Sequence, residues 1–218
     1  MSWPFAGLVL RTPRLELRPD DDEGLHELAA LADAGVHPED EMPFLVPWTR
    51  FPNPGRSVLQ YQWRCRAALA PESWTLNFLV RTGGTVVGMQ ELSAQSFALL
   101  GEVTTGSYLG LAHQGQGYGT EMRAAVLAFA FDHLRARSAR SAAFVDNPRS
   151  QGVSRRLGYR ADGTAVHVRE GKAATQLRLL VEPETFVRPP WTLQVDGLEP
   201  CLELLGADVN RAGRYPGR

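Results

Sequence analysis

The chain has 218 residues, 44% hydrophobic and 22% charged, close to the averages of folded globular domains, so neither a disordered nor a fibrous chain is expected. A formal net charge of −1, without any block of Lys or Arg, leaves no electrostatic footprint for nucleic acid. No apolar run approaches the ~20 residues of a bilayer-spanning helix, the N-terminus carries no signal-type leader, and the two cysteines, Cys65 and Cys201, share no metal or redox spacing, so a cytoplasmic protein with no membrane, nucleic-acid or metal partner is expected.

Residues 8–18 alternate apolar and polar positions around Pro13, which predicts a strand broken at the proline. Asp20, Asp21, Asp22 and Glu23 then precede Leu25, Leu28, Ala29 and Ala32, the acidic start of an amphipathic helix. Residues 33–55 hold Pro38, Pro43, Pro47, Pro52 and Pro54 yet also Phe44, Leu45, Val46, Trp48 and Phe51. A loop so apolar must bury side chains, as a substrate-side wall or as a packed surface loop, and its Glu39, Asp40 and Glu41 could draw a cationic acceptor. Ser57 is expected to cap a helix reaching about Leu69, ended by Pro71.

Residues 74–81 and 85–92 are β-rich and joined through Gly83-Gly84, which accepts the positive φ of a hairpin turn. A looser turn follows over 93–101, and a third strand over 103–111 completes an antiparallel meander. Gly115, Gly117 and Gly119 come next, alternating with Gln116 and Tyr118. Without Cβ atoms this turn can aim several N–H groups into one volume, at the start of a helix whose Met122, Ala125, Val126, Phe129 and Ala130 share a face. The result is an anion cradle. A short strand over 142–145 follows, then a helix with Asn147 as cap and Pro148 in its first turn, ended at Gly158. A last hairpin spans 159–169 and 176–181 around Gly171-Lys172, and residues 183–218 form an appendage.

Three phosphate sites could use such a turn. A Walker loop lacks its Lys-Ser or Lys-Thr, and a dinucleotide fingerprint lacks its third glycine, Thr120 standing there, and its βαβ unit. The remaining pattern is Gln-x-x-Gly-x-Gly, formed by Gln114, Gly117 and Gly119. With it the chain resembles, over about residues 8–182, the GNAT superfamily of acyl-CoA-dependent N-acyltransferases. Asn147, Ser150, Val153, Leu157, Gly158, Tyr159 and Gly163 form a second run similar to the branch that acetylates ribosomal-protein N-termini. The stretches 42–48 and 119–126 further resemble an actinobacterial subgroup of that branch.

The resemblance implies an α/β (α+β) fold over residues 1–182, a mixed and mainly antiparallel central sheet flanked by helices, with residues 183–218 covering the core or a second subunit of a homo-oligomer. It implies that an acyl group, acetyl or succinyl, passes from acyl-CoA to a primary amine without a metal. The backbone of Gln114, Gly115, Gln116, Gly117, Tyr118, Gly119 and Thr120 would hold the pyrophosphate, Leu109 and Leu111 would bond the pantetheine like a neighbouring strand, and Asn147 and Ser150 would complete the CoA site. Ser150 takes the role of general acid toward the departing thiolate. The strand position where the branch often carries a glutamate base is Thr104 here, which leaves Glu91, Glu102, Asp146 or a water chain for that task and leaves open a non-catalytic acyl-CoA sensor. A nucleotide-dependent oxidoreductase is the third reading. The five histidines show no ligand spacing.

Overall fold

The structure is a computed structural model that describes residues 3–19 and 21–207; Asp20 of the acidic cluster and the last part of the appendage, 208–218, lie outside the described residues. In chain order it forms β1 (Val9–Arg11), β2 (Glu16–Pro19), α1 (Asp22–Ala34), α2 (Pro54–Ala67), β3 (Ser73–Thr82), β4 (Thr85–Gln95), α3 (Phe97–Leu100), β5 (Glu102–Leu109), α4 (Tyr118–Ala128), β6 (Ser138–Phe144), α5 (Pro148–Arg156), β7 (Arg160–Arg169), β8 (Lys172–Val181) and β9 (Gln194–Asp196). The strands make one nine-stranded sheet in the order β7-β8-β6-β5-β4-β3-β2-β1-β9. Every neighbouring pair is antiparallel except β5 and β6, which run parallel. The sheet is thus mixed and mainly antiparallel, with helices on both faces.

Local chemistry explains most boundaries. Asp21 caps α1 by accepting the Gly24 N–H at 2.6 Å, with Asp22 and Glu23 in the first turn where the helix dipole favours them. The β7–β8 turn places Glu170 and Gly171 at φ 48° and 76°, the paired positive φ values of a tight hairpin. α2 begins at Pro54 with Asn53 as N-cap residue, four positions before the predicted Ser57 cap, whose hydroxyl donates back to the Asn53 carbonyl. The earlier start is set by α1: the Gly55 N–H donates to Asp33, and a Cβ on Gly55 would stand 2.7 Å from the Ala29 carbonyl.

The side-chain period sorts the sheet into two faces. Leu79, Met89 and Tyr108 pack with Leu25, Leu28, Ala32 and Val58 of α1 and α2. Leu76, Phe78, Val80, Leu92 and Val103 point the other way into the larger core, where α4 lies. In α4 every residue from Glu121 to Ala128 is buried, not one face only, and residues beyond β8 join the same large core. Phe186, Leu193, Cys201 and Leu205 are buried, Trp74 donates to the Leu205 carbonyl at 3.0 Å, and β9 pairs with β1.

Four strand boundaries differ from expectation, one of them the start of β8, at Lys172 instead of 176. β4 continues to Gln95 and is followed by the single turn α3, whose Phe97 ring meets Trp74 in a tilted contact, where the sequence suggested a loose turn. β6 starts at Ser138 instead of 142, since its polar Ser138 and Arg140 find Glu102 and Asp162 as partners and can enter the sheet. β5 ends at Leu109, and Leu111 falls in a 3₁₀ turn, Leu111–His113.

Candidate active site

The glycine turn leaves β5 and enters α4. Gly115 and Gly117 sit at φ 77° and 83°, in the left-handed region that a Cβ disfavours, with Gly117 as the N-cap residue of α4. Gly119 is under no such demand: a Cβ there would meet Leu109 and Val153 at 3.8 Å, ordinary contact. The ends of the turn are satisfied internally, Gln114 N–H by the Leu111 carbonyl and Thr120 N–H by the Gly117 carbonyl. Between them the N–H groups of Gly115, Gln116, Gly117, Tyr118 and Gly119 find no acceptor among the described residues. Five unclaimed donors at the positive end of a helix are groups of the kind that bind anions.

Side chains brace the turn. Gln114 Nε2 donates to the Val36 and Leu109 carbonyls at 2.8 and 3.1 Å, fastening the loop to the end of α1 and of β5. Sequence reasoning missed a second brace. Glu121, only 8% exposed in the first turn of α4, would repel an anion, but Arg14 binds it through Nε at 2.6 Å. Arg14 also donates to the Gln116 carbonyl at 3.0 Å and lies over the Tyr118 ring. The guanidinium neutralises the carboxylate and holds that carbonyl, and no local pattern links position 14 to position 121.

The parallel strands β5 and β6 pair only through Glu102↔Ser138, Val103↔Ala139 and Thr104↔Arg140, although they continue to Leu109 and Phe144. Just past the last pair, side chains replace the ladder: Thr105 Oγ1 donates to the Arg140 carbonyl and Ser141 Oγ to the Thr105 carbonyl, each at 3.3 Å. Beyond them lies a split in the sheet, with its mouth beside the glycine turn. Leu109 closes β5 at that mouth, whereas the Leu111 N–H is already taken by the Gly35 carbonyl at 3.0 Å. A linear chain entering the split finds strand edges to bond.

The three acids differ in what holds them. Glu102 lies at the closed end of the split and bonds Arg140 at 2.8 Å and Ser138 at 3.0 Å. Asp146 is gripped by both terminal nitrogens of Arg169, which hold its carboxyl below the usual range and make it a poor proton acceptor. Glu91 pairs across the ladder with Gly106, and a Cβ on Gly106 would stand 3.8 Å from Glu91 Oε1, so the carboxylate lies over the glycine of β5. Its partners are neutral hydroxyls, Tyr61 at 2.8 Å and Ser93 at 3.1 Å. Thr104 is paired with Ser93, one ladder step along the same face. The carboxylate absent from position 104 is therefore offered beside it from the neighbouring strand. Burial and the adjacent Glu91 charge raise the Tyr61 phenol far above its ordinary value, so it stays a donor.

Asn147 Oδ1 accepts the Ser150 N–H at 3.0 Å and so serves as the α5 cap. The Ser150 hydroxyl has no hydrogen bond among the described residues, and its carbonyl accepts Ser154 Oγ at 3.1 Å. The proline-rich loop covers the α1/α2 side of β5: Phe44 and Trp48 meet Tyr108 with ring centroids 6.2 and 5.2 Å apart. Arg169 ties this loop to the last hairpin by donating to the Met42 carbonyl at 2.7 Å. A cleft of about 470 Å³ opens there, lined by Glu41, Met42, Asp146, Asn147, Arg149 and Arg169 among others. Among the described residues no group of His, Cys, Asp or Glu could hold a metal ion, and no helix is long and apolar enough to cross a membrane.

Comparison with known proteins places this geometry in a family. A model described as an acetyltransferase (GNAT) domain matches residues 14–160. Among solved structures, RimJ of Mycobacterium smegmatis in complex with CoA-disulfide is 16% identical, with a TM-score of 0.66 over 91% of this chain and 95% of its own. The spermidine N-acetyltransferase of Vibrio cholerae in complex with CoA and spermine is 14% identical, with a TM-score of 0.62 over 81% and 100%. A GCN5-related N-acetyltransferase of Brucella melitensis is 20% identical, with a TM-score of 0.62 over 81% and 79%. At these identities the likeness is one of fold.

Proposed function

This chain belongs to the acetyltransferase (GNAT) family of CoA-dependent N-acyltransferases, and from that premise we propose how its residues divide the work. The five free N–H groups at 115–119 hold the CoA pyrophosphate, and this observation carries the reading. The cradle needs no side-chain charge, in keeping with a chain of net charge −1. The pantetheine arm enters the split between β5 and β6, bonding the edge that their short ladder leaves open, with Leu109 at its mouth. Acyl-CoA supplies a thioester carbon for attack by a neutral amine. Glu91 takes the ammonium proton, since it alone of the three acids has no cationic partner and lies over β5. Ser150, with an uncommitted hydroxyl on the first turn of α5, donates to the departing sulfur. A thiol of pKa ~8.5 leaves readily, so losing Ser150 lowers the rate only modestly.

The acceptor is a primary amine of a small molecule, peptide or protein, reached through the cleft between the proline-rich loop and the β7–β8 hairpin. We favour the ribosomal-protein-acetylating branch on the run from Asn147 to Gly163, and its actinobacterial subgroup on the stretches 42–48 and 119–126. The donor is acetyl-CoA or a longer acyl-CoA such as succinyl-CoA. Thiol release from acetyl-, propionyl- and succinyl-CoA, measured with a panel of amines and N-terminal peptides, tests the proposal. Turnover on any pair supports it. Tight CoA binding without turnover on all of them favours instead an acyl-CoA sensor, the reading that Thr104 in place of a glutamate suggests.

A further inference from the structure

Arg123 of α4 has no part in the roles assigned above, yet it is 5% exposed and among the described residues no carboxylate lies within ion-pair distance of it. Its hydrogen bonds go only to hydroxyls: Nη2 to Ser107 of β5 at 3.0 Å, and Nη1 to Ser154 of α5 and Ser141 of β6 at 3.3 and 3.4 Å. Its Nε has no partner, nor has Oε1 of the equally buried Gln90, which lies opposite Ser107 in the ladder. Burial lowers the guanidinium pKa, with the Tyr159 phenol as the only opposing charge interaction. A buried cation is normally paired, because withdrawing a charge from water costs several kcal/mol. Here the anion is missing while the hydroxyl frame around it is complete.

Its place in the fold says where the anion would come from. Ser141 directly follows the last ladder pair on β6 and Ser107 lies three residues beyond it on β5, so the guanidinium bridges the two walls inside the split. Any acyl-pantetheine threaded from the glycine turn would point its far end there. Resting on the acyl-CoA reading above, we infer that Arg123 is a specificity residue for an acyl chain ending in a carboxylate, with Ser107, Ser141 and Ser154 holding its fork in position. An acid-ended donor would complete the ion pair, whereas an acetyl or plain alkyl chain would leave the charge unanswered.

The test is calorimetric binding, without an amine, of acetyl-, butyryl- and succinyl-CoA, the last two matched in chain length. Wild-type protein should bind succinyl-CoA about tenfold or more tighter than butyryl-CoA, the scale of one charge-assisted hydrogen bond. Arg123→Gln should bring that ratio to within about twofold while leaving acetyl-CoA within about threefold, and Arg123→Lys should keep part of the preference. Equal wild-type affinity for succinyl- and butyryl-CoA would overturn the inference by itself, even if Arg123→Gln did not fold. Uniform weakening of all three esters in Arg123→Gln would also overturn it, since the guanidinium would then only brace the strands. Failure to bind any CoA ester would overturn the acyl-CoA reading instead.

Discussion

Replacing Glu91 by Gln removes the proposed base with little change in shape. The amide oxygen can still accept from Tyr61, now 2.8 Å from Oε2, so the structural loss should be at most about 1 kcal/mol. A positioned general base contributes ~10²–10⁴ in rate, or about 3–5 kcal/mol of barrier. Glu91 is half-buried, and water can reach its neighbourhood and take part of the load, which puts the expected fall in kcat/KM near the low end, about a hundredfold. Thiol release should be followed with two acceptors of the same shape, one protonated at the assay pH and one whose low basicity delivers it neutral. The second needs less help losing a proton, so the deficit of E91Q should shrink with it. A kcat/KM within about threefold of wild type for both amines would refute the assignment. So would an equal deficit for both, which would mean that Glu91 merely positions Tyr61.

Other perturbations separate the turn, the core and the loop. Gly117→Ala forces a Cβ at φ 83° and 3.3 Å from Arg14, at a cost of about 1–2 kcal/mol, and calorimetry should show acyl-CoA binding weakened about tenfold. Gly119→Ala, in ordinary contact at 3.8 Å, should bind almost as wild type. Leu205→Ala empties a fully buried site beneath Trp74 and should lower stability by about 2–4 kcal/mol, read as a drop in Tm; an unchanged Tm would mean that residues beyond β8 add nothing to the core. Asp146→Asn tests the Arg169 latch. A folded carboxyl held below its unfolded value adds stability above the unfolded pKa of ~3.9 and loses it as pH falls through the folded value. With the Asp146 side chain 59% exposed, solvent screens the pair, so the loss at pH 7 should be under about 1 kcal/mol, and urea melts of variant and wild type should converge at low pH.

Some of this was readable from local sequence alone. The turn at Gly115 and Gly117 follows from a backbone that must go left-handed, and so does the hairpin at Gly83-Gly84, whereas the last hairpin, expected around Gly171-Lys172, turns one residue earlier at Glu170-Gly171. The Asp21 cap and the Asn147 cap are likewise set within a few residues. Because these constraints act over one turn of chain, they survive without the tertiary fold, and with the second motif they were enough to suggest an acyl-CoA site. Thr104 showed the limit of that approach. Position by position it read as a missing base, because the glutamate that lies over Gly106 sits on another strand, and only the register of β4 against β5 brings them together. Arg14 reaches Glu121 across more than a hundred residues, and β9 joins the sheet beside β1, again through packing that no period encodes. Arg123 carries no local signal of its role. Hydroxyls from three separate elements, β5, β6 and α5, surround its buried charge, and burial is a property of the assembled fold, not of the helix.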